Sequence, residues 1–383
     1  MSLIIKFKSM SKKNKIILYF PALYPEVTGG LEVYNYNLLK KLLTNIELKD
    51  RLIVLTNSKT FINGVNILPL RDRIFGFRRW GLGGLSTILY YFLSKKFNWR
   101  EIKSIYIPYS ENFGKAAWPF LLLKKMFNIK YYAHIHSGDL RPWKDENLQK
   151  LFFKEATGVA GVSKPIMEVY KERSGVAVHY LPPIIPFIQA SKSKDDLKVE
   201  LGFQNYDKIV LYVGSIKPLK APKVLLSAFD SLGQDFIQEH NVLLLMAGDG
   251  PLRNELEAQF SSNKNIKFLG LVPNDEVWKY YSIADIYVIP SWFEGTPISL
   301  LEAMSKSLCC IGTDVKGINT TIERNKTGLL FEKDSDSELN VILKDVLINF
   351  DSYKHLGVEA KRFYEDNFSY DIHINELLNW LNE

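Results

Sequence analysis

Short apolar runs alternate with segments of helical period along this chain, and that alternation constrains its fold more than any other feature. KIILYF (15–20), RLIVLT (51–56), SIYIPY (104–109), KYYAHIH (130–136) and GVAGVS (158–163) read as strands. So do KIVLYVGS (208–215), NVLLLMAGDG (241–250), IKFLGLV (266–272), DIYVIPS (285–291) and LCCIGT (308–313). Helical patterns such as LEVYNYNLLKKLL (31–43) separate several of them. Strand–helix alternation predicts parallel sheets with crossover helices. Strands that are apolar throughout predict sheets covered on both faces. A proline-rich and then charged stretch, LPPIIPFIQASKSKDD (181–196), reads as a linker. The expected architecture is α/β, with two Rossmann-like, doubly wound domains facing each other across a cleft. Residues 1–188 form the first, with a terminal helix in 365–383 packing back on it; residues 189–364 form the second. Sheets of this kind bind ligands at the carboxyl ends of their strands, and a cleft is the default site.

The chain is long enough for that division: 383 residues, 46% hydrophobic and 24% charged, can supply two cores. Its charge is unevenly spread. Residues 1–190 hold 29 Lys and Arg against 13 Asp and Glu, whereas the net charge of the whole is only +7. A basic half attracts phosphates, nucleic acid or an anionic membrane surface; the same charge also serves solubility or domain docking. Cys309 and Cys310 are neighbours in an apolar run, so no disulfide framework is possible and a reducing cytoplasm is the simplest setting. The start, MSLIIKFKSMSKKNK, is too rich in lysine for a signal peptide. No stretch approaches the ~18 apolar residues of a membrane span.

Three stretches of the second half carry chemistry. EGTPISLLE places Glu294 in a turn after a strand and Glu302 in the helix that follows. That helix start offers free backbone N–H groups to a phosphate, and the two carboxylates could accept hydrogen bonds from hydroxyls on one elongated ligand. An acidic residue at a helix start is also ordinary stabilisation. LYVGSIKPLKAP (211–222) is a strand, a glycine turn and two lysines, Lys217 and Lys220, suited to a phosphate or simply solvated. MAGDGPLRNELE (246–257) is a strand end, a tight turn and a helix start.

The ordered set VGS…K, AGDGP, FLGLVP, ADIYVIPSWFEGTP…LLEAM and TGLLF resembles the retaining, GT-B-fold glycosyltransferases of family 4. The spacing of Glu294 and Glu302 is similar to that family's Glu-x7-Glu signature. The resemblance runs from about Gly29 to Phe331. It implies that Glu294 faces the donor sugar's hydroxyls, that Glu302 holds the nucleotide ribose and that Lys220 binds the leaving diphosphate. It places Gly214, Ser215, Lys217, Gly248, Gly295 and Thr296 around the donor, with the amides of Ile298, Ser299 and Leu300 on the phosphates and sugar. Gly29 and Gly30 look like the loop that approaches the phosphates and acceptor, and His136 like the histidine near the reacting sugar. His134 and His136 are read as pointing to opposite faces of a strand, which argues against a metal pair. The chain departs from the family pattern at Ser215, where arginine is usual, at Pro297 and Lys316, where glycine is common, and at Thr320, where an acidic residue is usual.

What the resemblance implies is retaining hexose transfer from a UDP-sugar, or second a GDP-sugar, to a saccharide or lipid-linked saccharide in surface polysaccharide or glycolipid assembly. No Asp-x-Asp motif is present where such chemistry would use one, so neither metal nor cofactor is expected. A non-catalytic nucleotide-sugar binder of the same fold, or an epimerase or phosphorylase, are the alternatives. Residues 71–100 are basic, aromatic and apolar in turn, which suits an anionic membrane surface or a core helix behind a charged loop. Nucleic acid is not an expected partner, since no recognition motif accompanies the charge. The expected location is cytoplasmic, with peripheral contact on the inner face of the cell membrane.

Overall fold

A computed structural model describes residues 14–21, 23, 30–56, 58, 66–69, 73–74, 77–78, 98–109, 117–136, 143, 145–183, 192–295 and 297–382. The chain divides into two compact units, Met1–Ile184 with His373–Glu383, and Ile185–Ile372.

The first unit is built on β1 (Lys15–Tyr19), β2 (Leu52–Thr56), β3 (Asn66–Pro69), β6 (Ile102–Tyr109), β7 (Lys130–Ile135), β8 (Gly158–Gly161) and β9 (His179–Tyr180). They lie in the order β3-β2-β1-β6-β7-β8-β9, with parallel pairing throughout. A short antiparallel pair, β4 (Arg73–Ile74) and β5 (Phe77–Arg78), stands apart. Alternate side chains decide which face each residue covers. Ile17, Ile105, Tyr131 and Ala133 join Phe120, Phe152 and Ile166 of the helices at 118–127, 146–155 and 164–174 in one core. Those helices begin and end where the sequence offers caps. The Asp145 and Ser163 side chains accept the Leu148 and Ile166 N–H groups, while Asn128 and Gly175 close the first and third helices in the left-handed conformation. On the opposite face Leu18, Tyr106, Tyr132 and His134 are buried, as are Tyr34, Leu38, Leu377 and Trp380 of the helices at 30–42 and 370–382. Gly158 makes room for the last of these: a Cβ there would come within 2.6 Å of the Trp380 indole nitrogen.

The second unit has β10 (Lys208–Val213), β11 (Val242–Ala247), β12 (Ile266–Gly270), β13 (Ile286–Ile289), β14 (Cys309–Thr313) and β15 (Leu329–Phe331). Their order is β12-β11-β10-β13-β14-β15, again parallel. Ile209, Leu211, Tyr287 and Ile289 pack under the helix at 298–305 on one face, and Val210, Tyr212, Ile286 and Val288 under the helices at 222–230 and 336–348 on the other. Both faces are therefore covered, which is why residues 209–213 and 286–289 of these strands are apolar throughout. Cys309 and Cys310 are free and buried, and burial pushes the Cys309 thiol up to about 12.

The ten expected strands are all present. The expectation missed β3, β4, β5, β9 and β15, which are two to four residues long and too short to display a period of two. Among the described residues no helix is long and apolar enough to cross a membrane. Most of the segment read as a membrane contact, 71–100, lies outside the described residues.

Candidate functional site

In the second sheet the strand order reverses between β10 and β13, and a crevice for ligands opens at the carboxyl ends of such a pair. The loop after β10 turns through Pro218–Lys220, and Ala221 follows at φ 45°. The loop after β13 runs from Pro290 to Pro297. A backbone hydrogen bond from Trp292 N–H to Leu219 O, 3.0 Å, ties the two loops together. This brings the Lys220 ammonium against Glu294, donating to Oε1 at 2.6 Å and Oε2 at 2.7 Å. The Ser291 hydroxyl donates to the same Oε1 at 2.8 Å. Glu294 is buried, 8% exposed, so a charge-assisted pair stands here in place of water. Gly317, at φ +94°, lies behind the turn: a Cβ would stand 2.0 Å from Glu294 O. The single glycine left beside Lys316 is the one this contact requires.

Gly214 and Gly248 act differently from the simple expectation of close approach to a phosphate. Gly214 N–H donates to Ala247 O at 3.0 Å and Gly248 N–H to Gly270 O at 2.8 Å, so both amides serve the fold. Gly248 sits at φ +144°, and a Cβ on it would lie 1.9 Å from Gly214 O. The β10 and β11 loops meet backbone to backbone. Gly248→Ala is expected to cost about 3 kcal/mol or more, because neither carbonyl nor φ can give way; urea unfolding would read this as a lower midpoint. Ser215 accepts the Tyr212 hydroxyl through its carbonyl at 2.9 Å. Lys217 is exposed at the mouth of the turn, and it is Lys220 that meets Glu294.

The helix at 298–305 starts directly from Pro297, without a side-chain cap. Leu300 N–H is donated to Pro297 O at 3.0 Å. Of the three amides expected to face a ligand, Leu300 is thus already bonded within the first turn, leaving Ile298 and Ser299 at the open helix start. The Ser299 hydroxyl is held by the Tyr287 hydroxyl at 2.7 Å. Gly295 is half-buried beside Glu294; Thr296 lies outside the described residues. One turn further, Glu302 Oε2 accepts the Tyr281 hydroxyl at 2.8 Å, and burial pushes the Glu302 carboxyl up from 4.5 to about 7. From about pH 4.5 to 7 the folded chain keeps a proton that the unfolded chain releases, so stability falls as pH rises through that window. Glu302→Gln is expected to flatten this slope, measured as the urea midpoint against pH.

The first unit holds a second polar group. His134 and His136 do not point to opposite faces: residues two apart on a strand share a face, and their rings lie 4.2 Å apart with His136 Nε2 3.2 Å from His134 Nδ1. Tyr34, Tyr106 and His373 complete the cluster. Among the described residues no three of His, Cys, Asp and Glu are placed to hold a metal ion. Gly30 opens the helix at 30–42; Gly29 lies outside the described residues. Sequence reasoning passed over Tyr34, Tyr106 and His373, as it did Tyr281 and Ser291. The available signal was a polar residue at a core phase of an apolar strand or helix, as His134 is within KYYAHI.

Residues 193–363 match the family of glycosyl transferases group 1. The group 1 stretch contains Lys220, Glu294 and Glu302. The chain is 30% identical over 160 residues to the UDP-Gal:alpha-D-GlcNAc-diphosphoundecaprenol alpha-1,3-galactosyltransferase of Escherichia coli, covering 40% of each chain. It is 29% identical over 237 residues to the GalNAc-alpha-(1->4)-GalNAc-alpha-(1->3)-diNAcBac-PP-undecaprenol alpha-1,4-N-acetyl-D-galactosaminyltransferase of Campylobacter jejuni, covering 61% of this chain and 62% of that one. The chain spans about half the length of the first curated relatives it matches. In fold it is similar to Anabaena Alr3699/HepE in complex with UDP and glucose, with a TM-score of 0.75 at 16% identity over 96% of this chain and 99% of that one. The fold is that of GT-B glycosyltransferases, built from two Rossmann-like domains with parallel sheets.

Proposed function

We propose that this chain is a retaining glycosyltransferase that moves a hexose from a nucleotide sugar to a saccharide or lipid-linked saccharide. The observation that carries the reading is the Lys220–Glu294 pair at the switch point of the second sheet, beside an open helix start. A UDP-sugar is the first choice of donor and a GDP-sugar the second; support for the first is that a protein of similar fold is described with UDP and UDP-glucose. Support for the acceptor is that two relatives are named for sugars on a diphosphoundecaprenol carrier. The same names support surface polysaccharide or glycolipid assembly as the setting.

In this reading Lys220 and the amides of Ile298 and Ser299 neutralise the diphosphate as it leaves, which is electrostatic stabilisation of developing charge. The anomeric carbon–oxygen bond to the diphosphate breaks, a bond to the acceptor oxygen forms on the same face, and the acceptor's proton passes to the departing phosphate. No protein base and no metal ion take part. Glu294 orients the sugar through its hydroxyls and Glu302 holds the ribose. His136 stands near the reacting sugar, and Gly29 and Gly30 on the acceptor side.

Contact with the inner face of a membrane belongs to the same proposal. Among the described residues it is supported by Trp118, Leu122 and Met126, which recur one helical turn apart with exposed side chains beside Lys125, on the basic half of the chain. Such a mixture suits an interface rich in anionic lipid.

Calorimetric titration with UDP, GDP and ADP, wild type against Lys220→Ala, tests the donor site. Binding of one nucleotide that weakens with the lysine removed is the expected result. If none of the three binds, the transferase reading fails.

A further inference from the structure

The cluster of the first unit constrains its own protons. His134 Nε2 lies 2.8 Å from Leu181 O, which can only accept, so Nε2 carries the hydrogen. Burial holds the His134 imidazole down at about 3, and it is neutral; Nδ1 is therefore a bare acceptor. Three groups approach that one lone pair. The Tyr106 hydroxyl is nearest at 2.6 Å, and burial keeps its phenol protonated far above neutrality, so it donates. The Tyr34 hydroxyl lies at 3.3 Å and His136 Nε2 at 3.2 Å. Two lone pairs facing each other at 3.2 Å would repel, so His136 must present Nε2–H. Burial also holds the His136 imidazole well below its ordinary value, so it too is neutral. Its ring plane is set by the tilted Tyr34 ring, 4.1 Å away between centroids.

We infer that His134 is a positioning residue: with Nε2–H anchored on Leu181 O, it holds His136 as the Nε2–H tautomer and leaves His136 Nδ1 free to accept from a ligand. Among the described residues nothing donates to that nitrogen. A neutral imidazole offering only a lone pair selects hydroxyl or amide hydrogens and rejects phosphate and carboxylate oxygens. The ligand group at His136 is then a hydroxyl. That last step rests on the transferase reading above; the tautomer does not.

The chain has six histidines, few enough for each imidazole to be followed by long-range 1H–15N correlation after 15N-histidine labelling. At neutral pH, His134 and His136 are both expected as single Nε2–H tautomers. A His136 carrying Nδ1–H, or averaging between the two forms, overturns the proposal. Two variants separate the two ends of the relay. His134→Asn places a carboxamide oxygen near the position of Nδ1 and is expected to keep the His136 signature. His134→Gln reaches towards Leu181 O instead and is expected to lose it, with kcat for transfer down about ten-fold and nucleotide affinity unchanged. Equal loss in both variants would reduce His134 to a packing role. A single Nε2–H signature in a protein that transfers no sugar would leave the relay standing and sink the transferase reading; a working transferase with Nδ1–H at His136 would do the reverse.

Discussion

Glu294→Ala is expected to lower sugar transfer about a thousand-fold while nucleotide affinity stays within a few-fold of wild type, or tightens. The first half follows from the assigned role: a group that fixes the sugar's reacting geometry acts on the transition state, and misplacement alone costs about a hundred-fold or more. The second half follows from the pair itself. Both carboxylate oxygens of Glu294 accept from the Lys220 ammonium, at 2.6 and 2.7 Å. A diphosphate must share that ammonium with the carboxylate, and removing the carboxylate leaves the full charge for the phosphate. Transfer rates set beside UDP titration would check both. A large loss of nucleotide affinity would contradict this division between Glu294 and Lys220.

Lys220→Ala is expected to act on both stability and chemistry. It leaves Glu294 buried with the Ser291 hydroxyl as its remaining described partner. Stripping one partner from a fully buried ion pair costs about 3–5 kcal/mol. The Lys220 side chain is 24% exposed and the Glu294 side chain 11%, so water compensates in part and about 2 kcal/mol is the fitting magnitude. Transfer is expected to fall by about a hundred-fold or more through loss of charge on the leaving group. The double variant Lys220→Met, Glu294→Gln separates the effects: it removes both charges, so the urea midpoint returns towards wild type while transfer stays lost. A double variant no more stable than Lys220→Ala would mean that the lysine contributes through its packing.

Much of this is legible in the sequence. The period of the apolar runs carried the strands, and the reversal in strand order then dictates which loops meet. Lys220 and Glu294 are 74 residues apart, and only the neighbouring places of β10 and β13 bring them together. What was hidden depends on contacts that leave no local pattern. Tyr281 looks like any apolar position of a helix until its hydroxyl is found on Glu302. Gly248 looks like a phosphate-loop glycine, and its backbone is used against Gly214 instead. His134 and His136 share a face, as alternation along a strand requires of residues two apart, against the expectation that they diverge.

The helix at 370–382 has a further consequence, for the order of manufacture. His373 enters the hydrogen-bonded group around Tyr34, and Trp380 fills the slot left by Gly158. Both are made after the whole of the second unit. A ribosome therefore delivers the second unit's sheet with every strand in hand, while the first, though begun earlier, waits with part of one apolar face uncovered. Domains tend to fold as they emerge, N-terminal first; here the earlier-made unit is the later one to be completed.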